Sequence, residues 1–359
     1  MLKLYQKYII KNFLIKFIKV SLVFLSLIYI LGILEEINFF KDTDENLFLP
    51  YFLTLLNVPI TLFEVFPFIF FIATQLFLFD FFKNKELDLL KKSGVDNIKI
   101  IKVIVMISVV IGVFNVFIYY NIASKLKFYY SDIKNKFSND NKYLAMVTES
   151  GLWIKDEINN KRYIIKSNSI EDDFLFENII NVFNSDFELE KIIQSDKIDI
   201  SSKNWLIYNP TTTIDNISKK IQGNIELSSN FNSEKINNLF SNISSFDLFR
   251  LYELKEDYEK FGYSTDEIKV QLLRLYTTPI YYGILSILSI VIMLNFIKNK
   301  PLLFHLIFGV MLSVIIYYIN FIFNSLGING KIPLNMSILF PFFLITIVST
   351  IGLIRINEK

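Results

Sequence analysis

Long uncharged runs alternate with short charged ones in the first third and the last quarter of the chain. Val20 to Leu34 carries no charge and is short for a membrane span. Lys16 and Lys19 can snorkel toward one interface and extend the span to Phe13–Leu34. It does not read as a cleavable signal peptide, because the run is long, no small-residue cleavage site follows, and Glu35-Glu36 come next. Leu47 to Phe79 contains only Glu64. As one straight helix it would be about 50 Å long, against an apolar core of about 30 Å. Pro50, Pro59 and Pro67 point to breaks, giving an interfacial helix Leu47–Val58 and a second span Ile60–Phe82. Val103–Ala123, Leu275–Ile297, Leu302–Phe323 and Asn335–Ile354 read as four more spans, with Pro279 early in the fourth and Pro341 inside the sixth.

Between the third and fourth spans lies a polar stretch of about 150 residues, too long to lack structure of its own. From about Tyr143 to Leu227 its pattern becomes short and alternating. Trp153-Ile154, Tyr163–Ile165, Ile179–Phe183, Glu188–Ile193, Ile198–Ile200 and Trp205–Tyr208 are separated by Glu157–Asn160, Asn184–Asp186 and Asn209-Pro210. Strands at this spacing with turn residues between them predict an antiparallel sandwich or partly open barrel. Such an insert either decorates and stabilises the protein or, as an open sheet, takes up an amphipathic ligand or pairs its edge with another sheet. Phe246–Lys269 turns helical again, with Phe246, Phe249, Leu251, Leu254, Tyr258 and Phe261 roughly on one stripe and Gly262 as a stop.

Charge orients the spans. Lys3, Lys7 and Lys11 precede span one; Lys83, Lys85, Lys91, Lys92 and Lys99 lie between spans two and three; Lys298 and Lys300 lie between four and five; Arg355 and Lys359 end the chain. The opposite loop is mostly acidic: Glu35, Glu36, Lys41, Asp42, Asp44, Glu45. The positive-inside rule therefore expects cytoplasmic termini and an external insert. Composition agrees with a membrane protein: 52% of the 359 residues are hydrophobic and 37 are Phe. With 37 basic against 35 acidic residues, nothing calls for nucleic acid. The absence of Cys excludes disulfides, thiol nucleophiles and Cys-ligated metals, and a single His, His305, leaves little room for metal or triad chemistry.

The segment 83–94 in the loop after span two reads as a short amphipathic helix. Leu87, Leu90 and Lys91 recur at helical spacing, Glu86 flanks that face, and Gly94 closes it. It is either a docking part or a surface connector. The nearest approach to a phosphate loop, Gly327-Ile328-Asn329-Gly330-Lys331, lacks the required spacing and reads as a turn between spans five and six. Any energy from ATP must come from another subunit.

The order of parts, three spans, an external β domain and three spans, with a loop helix after span two, resembles the LptF/LptG (YjgP/YjgQ) family over nearly the whole chain. Local points of likeness are Tyr8-Ile9, Pro59 and Pro67, Glu86-Leu87, Ser93-Gly94, Gly151-Leu152-Trp153-Ile154-Lys155-Asp156, Pro279, Ile332-Pro333 and Pro341. The Gly-Leu-Trp-x-Lys-Asp string and the Ile-Pro before span six look more like LptG than LptF. The resemblance implies an α-helical inner-membrane protein with six transmembrane helices in a 3+3 arrangement and an inserted periplasmic jellyroll-like all-β domain. On that plan residues 1–123 hold spans one to three, 124–245 the β domain, and 246–359 a connecting helix and spans four to six.

It also implies a permease subunit that extracts lipopolysaccharide and passes it to a periplasmic β-sheet bridge of LptC/LptA-like proteins. Its partners would be an LptF-like sister permease and a dimeric LptB-like ATPase that uses the ATP; the chain itself would bind no cofactor and no metal and catalyse no reaction. Glu86, Leu87, Leu90, Lys91 and Gly94 would couple to the ATPase, and Trp153 and Ile165 would lie on the lipid path. The head group needs cations near the outer interface, and Arg274, Lys41, Lys125, Lys127, Lys134 and Lys269 are available by topology, with Arg274 favoured for its place on the last turn before a span. One departure concerns span one. The LptG pattern has a basic residue near its outer end, where this chain has Leu31, Gly32 and Ile33 followed by Glu35 and Glu36. That points to a modified lipid or to a basic role moved elsewhere. The competing functions are a mechanotransmitting permease, whose four-span layout fits poorly, and a membrane scaffold or sensor without an ATPase.

Overall fold

The computed structural model describes residues 3–41, 48–135, 137, 152–158, 160–171, 173–185, 187–214, 217–233, 236, 242–261, 264–295 and 300–357. The expected start of the β insert near Tyr143, the residues Asp42, Asp44, Glu45, Gly151, Gly262, Lys298 and Lys359 lie outside them. The chain divides into two compact units: residues 1–130, 244–249 and 266–359 in one, residues 131–243 and 250–265 in the other.

The first unit is a helix bundle. Its elements are α1 (Leu4–Phe39), α2 (Leu49–Lys83), α3 (Glu86–Lys92), and α4 (Asn97–Phe114), which passes through a π turn at Asn115–Tyr119 into α5 (Tyr120–Asn135). After the strands of the second unit come α6 (Leu248–Phe261), which belongs to that unit from Arg250 on, and then α7 (Asp266–Asn295), α8 (Leu302–Ile328) and α9 (Leu334–Asn357) of the first. Among the described residues six helices are long and apolar enough to cross a membrane: α1, α2, α4 with α5, α7, α8 and α9.

The expected break at Pro59 does not occur. α2 runs unbroken through Pro59 and Pro67, and only Pro50 marks its start, where a missing N–H costs nothing. Packing overrides the prolines, because α1 lies along the whole of α2. At one end a Cβ on Gly32 would stand 2.8 Å from Thr54 Cγ2; at the other Phe13 meets Phe77 edge-on at 6.0 Å. An interfacial helix would bury one stripe, whereas Leu53, Thr54, Leu56, Val58 and Ile60 are all buried here. The fourth span also begins earlier than its apolar run, so Pro279 sits well inside α7.

α2, α4 and α7 form the centre of the bundle. Ser108 and Ser286 share a 2.8 Å hydrogen bond, Ser289 donates to the Phe71 carbonyl at 2.9 Å, and Phe70 stacks on Tyr282 at 4.3 Å. Between α4 and α7 the backbones come very close. A Cβ on Gly112 would lie 2.5 Å from Pro279 Cα, and one on Gly283 would lie 3.1 Å from Val109. Small residues permit this, which is how membrane helices gain packing when lipid and side chains are equally apolar.

The second unit is one curled antiparallel sheet of nine strands among the described residues. The strands are β1 (Leu152–Ile158), β2 (Lys161–Ser167), β3 (Ser169–Glu171), β4 (Phe174–Phe183), β5 (Leu189–Asp199), β6 (Asn204–Tyr208), β7 (Thr211–Ile214), β8 (Ile217–Lys220) and β9 (Asn224–Ser228). The separate strands expected at 188–193 and 198–200 are the two halves of β5. They pair differently: Ile192–Gln194 with β7, Lys197–Asp199 with β6, so the sheet forks there. Strands β3, β7, β8 and β9 were not expected, because they are short or polar; β8 is exposed along its length. Asn160 at the β1–β2 turn and Asn209 before β7 take positive φ, as asparagine tolerates. Lys161 pairs with Glu190 across the sheet, a hydrogen bond that raises the lysine pKa.

Asp156, the last residue of the Gly-Leu-Trp-Ile-Lys-Asp string, is buried at the end of β1. Its carboxylate accepts from Ser229 Oγ at 2.7 Å, Asn230 N at 3.0 Å, Asn230 Nδ2 at 2.7 Å and Glu157 N at 2.9 Å. A buried carboxylate is tolerable only with its lone pairs so occupied. The aspartate thus pins β1 to the segment after β9. In α6, Leu251 and Leu254 are buried as expected, but Phe249 is 76% exposed and leaves the predicted stripe.

Candidate functional site

The π turn in the third span sets the geometry of a polar belt inside the first unit. A π turn inserts one extra residue, so side chains four and five apart both face inward, and such turns concentrate at functional places. Here it directs Asn115, Tyr119 and Tyr120 to neighbouring helices. Asn115 Nδ2 donates to Tyr282 Oη at 3.5 Å; Tyr119 donates to the Pro59 carbonyl at 3.0 Å; Tyr120 donates to the Phe246 carbonyl at 3.1 Å and accepts from Gln271 Nε2 at 3.2 Å. Tyr281 accepts from Asn320 Nδ2 at 2.8 Å. Arg274, half-buried on α7, lies within electrostatic reach of the Tyr120, Tyr281 and Tyr282 hydroxyls, and Glu64 within reach of Tyr120.

The six candidate cations separate clearly. Lys125 pairs with buried Asp247 at 3.8 Å. Lys127 donates to Asn57 Oδ1 at 2.8 Å and lies 4.2 Å over the Tyr130 ring, while Tyr130 donates to buried Glu36 at 2.7 Å. Lys134 is buried, Lys269 is half-buried, and both have partners within the chain. Lys41 is exposed just beyond α1. Arg274 is half-buried on α7 and forms no ion pair among the described residues. Lys125 and Lys127 thus have an acidic and an amide neighbour within the chain, the former from the segment before α6. Glu36 likewise turns inward and leaves Glu35 exposed.

The short helix α3 is set off from α2 by Lys85, which takes φ 57°, and ends at Gly94 with φ +79°. Val95 N donates to the Leu90 carbonyl at 3.0 Å and Gly94 N to Lys91 at 3.0 Å, the Schellman pattern that a left-handed glycine permits. The Ser93-Gly94 pair is thus a helix stop, and buried Val95 is its apolar cap. Leu87 is only 4% exposed and packs inside the chain, which removes it as an anchor for another protein. Leu90 is half-buried, and Glu86, Asp88 and Lys91 sit around a helix whose outward apolar side chain is Leu89, 62% exposed.

In the second unit, Trp153 and Ile165 fall on opposite faces of the sheet. β1 alternates buried and exposed, and Ile154 pairs with Ile165 while Trp153 pairs with Lys166. Ile165 is 1% exposed and Trp153 is 46% exposed with Lys166 Nζ 5.4 Å from its ring. The two positions cannot line one lipid path.

Set against known families, residues 7–355 match the model of the lipopolysaccharide export system permease LptF/LptG. The match takes in both units. The chain belongs to the LptF/LptG family. A comparison with curated proteins found no match. The chain is thus a multi-pass lipopolysaccharide export permease with an inserted β domain. For an LptF/LptG permease the tyrosine belt is the part that the sequence reading missed. Its only signal was Asn115 with Tyr119-Tyr120, polar residues inside an apolar run and expensive to place there without partners. The Lys16–Asp80 ion pair was missed too, since Lys16 read as snorkelling.

Proposed function

We propose that this permease lifts lipopolysaccharide from the outer leaflet of the bacterial inner membrane and hands it to a periplasmic β-sheet bridge. Its β unit faces the periplasm, and α3 lies in the cytoplasm, where a separate dimeric ATPase docks. A sister permease completes the membrane part. The asymmetry of lysines across the spans supports this orientation. Because the native chain has no Cys, single cysteines test it. An impermeant thiol reagent on spheroplasts should label Asn160→Cys and spare Asn84→Cys; the reverse overturns the orientation.

The observation that carries the lipid-binding part is Arg274, a half-buried cation within electrostatic reach of three tyrosine hydroxyls and with no ion pair among the described residues. A guanidinium carries five N–H donors, and a phosphorylated head group offers acceptors. In the reconstituted complex, Arg274→Glu should weaken lipopolysaccharide binding by about tenfold or more, the scale of hydrogen bonds to a charged group. Arg274→Lys should restore part of it. Assembly with the ATPase should be unaffected. Export and lipid-stimulated hydrolysis that stay normal in Arg274→Glu would reduce the residue to a head-group anchor for its helix.

A further inference from the structure

Tyr8-Ile9 entered the sequence reading only as a point of likeness, and the structure gives the pair a place. Ile9, Phe13 and Lys16 recur at helical spacing on α1, and Phe13 and Lys16 reach Phe77 and Asp80 in the last turns of α2. Ile9 and Phe13 are fully buried. Phe77 packs on Phe81 at 4.3 Å, and Tyr8 tilts against Phe81 at 6.2 Å. On the same seam the Lys16 ammonium and the Asp80 carboxylate form an ion pair. α2 ends three residues after Asp80 and α3 begins at Glu86, within electrostatic reach of the Tyr8 hydroxyl. One strip of α1 therefore touches the last turns of α2, just ahead of α3.

The pair is notable for where it stands. Lys16 lies within the apolar α1 and Asp80 in the last turn of the apolar α2, where charges are scarce and both side chains are only partly exposed. A structural helix pair needs neither charge, since the phenylalanines already fill the seam. Meanwhile α1 is the least covered of the six spans, with Leu22, Val23, Ile30 and Leu31 exposed. Its main brace is its α2 face, with Tyr130 of α5 holding Glu36 near its far end.

We propose that Lys16 and Asp80, assisted by Tyr8, latch the first span to α3, so that α1, the end of α2 and α3 move as one body. A displacement imposed on α3 is then delivered to the span with the least bracing. These are positioning residues; none is assigned contact with lipid or nucleotide. The inference rests on the reading of α3 as the ATPase-coupling helix.

The test uses the full complex with its sister permease and ATPase, reconstituted with lipopolysaccharide, and reads lipid exported per ATP hydrolysed. Lys16→Met, Asp80→Asn and Tyr8→Phe should assemble and hydrolyse ATP. In the two ion-pair variants that ratio should fall at least about fivefold, the lower range of coupling between sites. The charge swap Lys16→Asp/Asp80→Lys should recover most of it. An unchanged ratio in the single variants, or a swap no better than they are, overturns the latch. Should these variants fail to accumulate, spin labels at Lys11→Cys and Asp88→Cys in the otherwise native chain decide: their separation should stay constant between nucleotide-free and ATP-bound states, and a change overturns the proposal. Glu86→Ala is the control for the underlying reading. If it keeps both ATPase association and export, the coupling-helix reading itself fails; if it loses them while the Lys16 and Asp80 variants export normally, only the latch fails.

Discussion

Leu89→Asp should release the ATPase from the permease while the six spans stay folded. Leu89 is the apolar side chain that α3 turns outward, and the helix is held from behind by Leu87 and Val95 and closed by Gly94. Its fold therefore does not depend on Leu89. In a docked complex that leucine would fill an apolar hollow, and a carboxylate there would be buried without a partner, beside Asp88. Glu86→Ala should act in the same direction. Removing one member of a desolvated charge pair costs about 2–5 kcal/mol, much of it from the partner left unpaired. Affinity purification of the complex and an export assay check both variants. Normal co-purification and export in the Leu89→Asp/Glu86→Ala double variant would leave α3 a plain connector. Leu87→Asp is a poor substitute test, because it would unseat the helix from its own bundle.

Gly112→Leu should prevent the membrane unit from forming at all. The first atom such a side chain would meet is Pro279 Cα at 2.5 Å, a backbone atom that cannot rotate away. Overpacking a core costs about 1–3 kcal/mol where side chains can yield, and more where they cannot. The seam between α4 and α7 also holds the Ser108–Ser286 hydrogen bond and the Asn115–Tyr282 contact, which would part together. Gly112→Ala should already lower the detergent thermal midpoint, and Gly112→Leu should fail to accumulate as a monodisperse protein. Gly330 makes a useful contrast, since nothing lies within 4 Å of a Cβ there. Its φ of +67° limits Gly330→Ala to a local strain of about 1–2 kcal/mol, with the bundle intact. A stable Gly112→Leu protein would mean that α7 can shift away from α4.

Much of the architecture could be read from the chain because its strongest signals are long-range averages. An apolar run of twenty residues has few alternatives, and alternating strands between turn residues have few more. What escaped was decided by neighbours. Pro59 reads as a break only until α1 is laid beside it. Leu87 and Leu89 are both leucines on a short helix, and only packing says which one is inside. The neighbours of Lys125 and Lys127 were hidden because Asp247 and Asn57 are far away in sequence. Asp156, by contrast, was visible as part of a motif, yet its reason, the turn at Ser229-Asn230, lies more than 70 positions on. Strands β7 to β9 carry too little apolar residue to announce themselves.

The seam between α4 and α7 has a further consequence, for biosynthesis. Ser108 and Ser286 are 178 positions apart. At about 5–20 residues per second, a ribosome needs roughly 10–35 s to make the second after the first. Throughout that interval the third span stands in the bilayer with Ser108, Gly112 and Asn115 facing lipid or the insertion machinery instead of α7. The nascent permease is therefore a client for whatever holds half-finished bundles in the membrane. Its dwell there scales with the length of the β insert, so lengthening that insert should slow maturation even if every folded contact is kept.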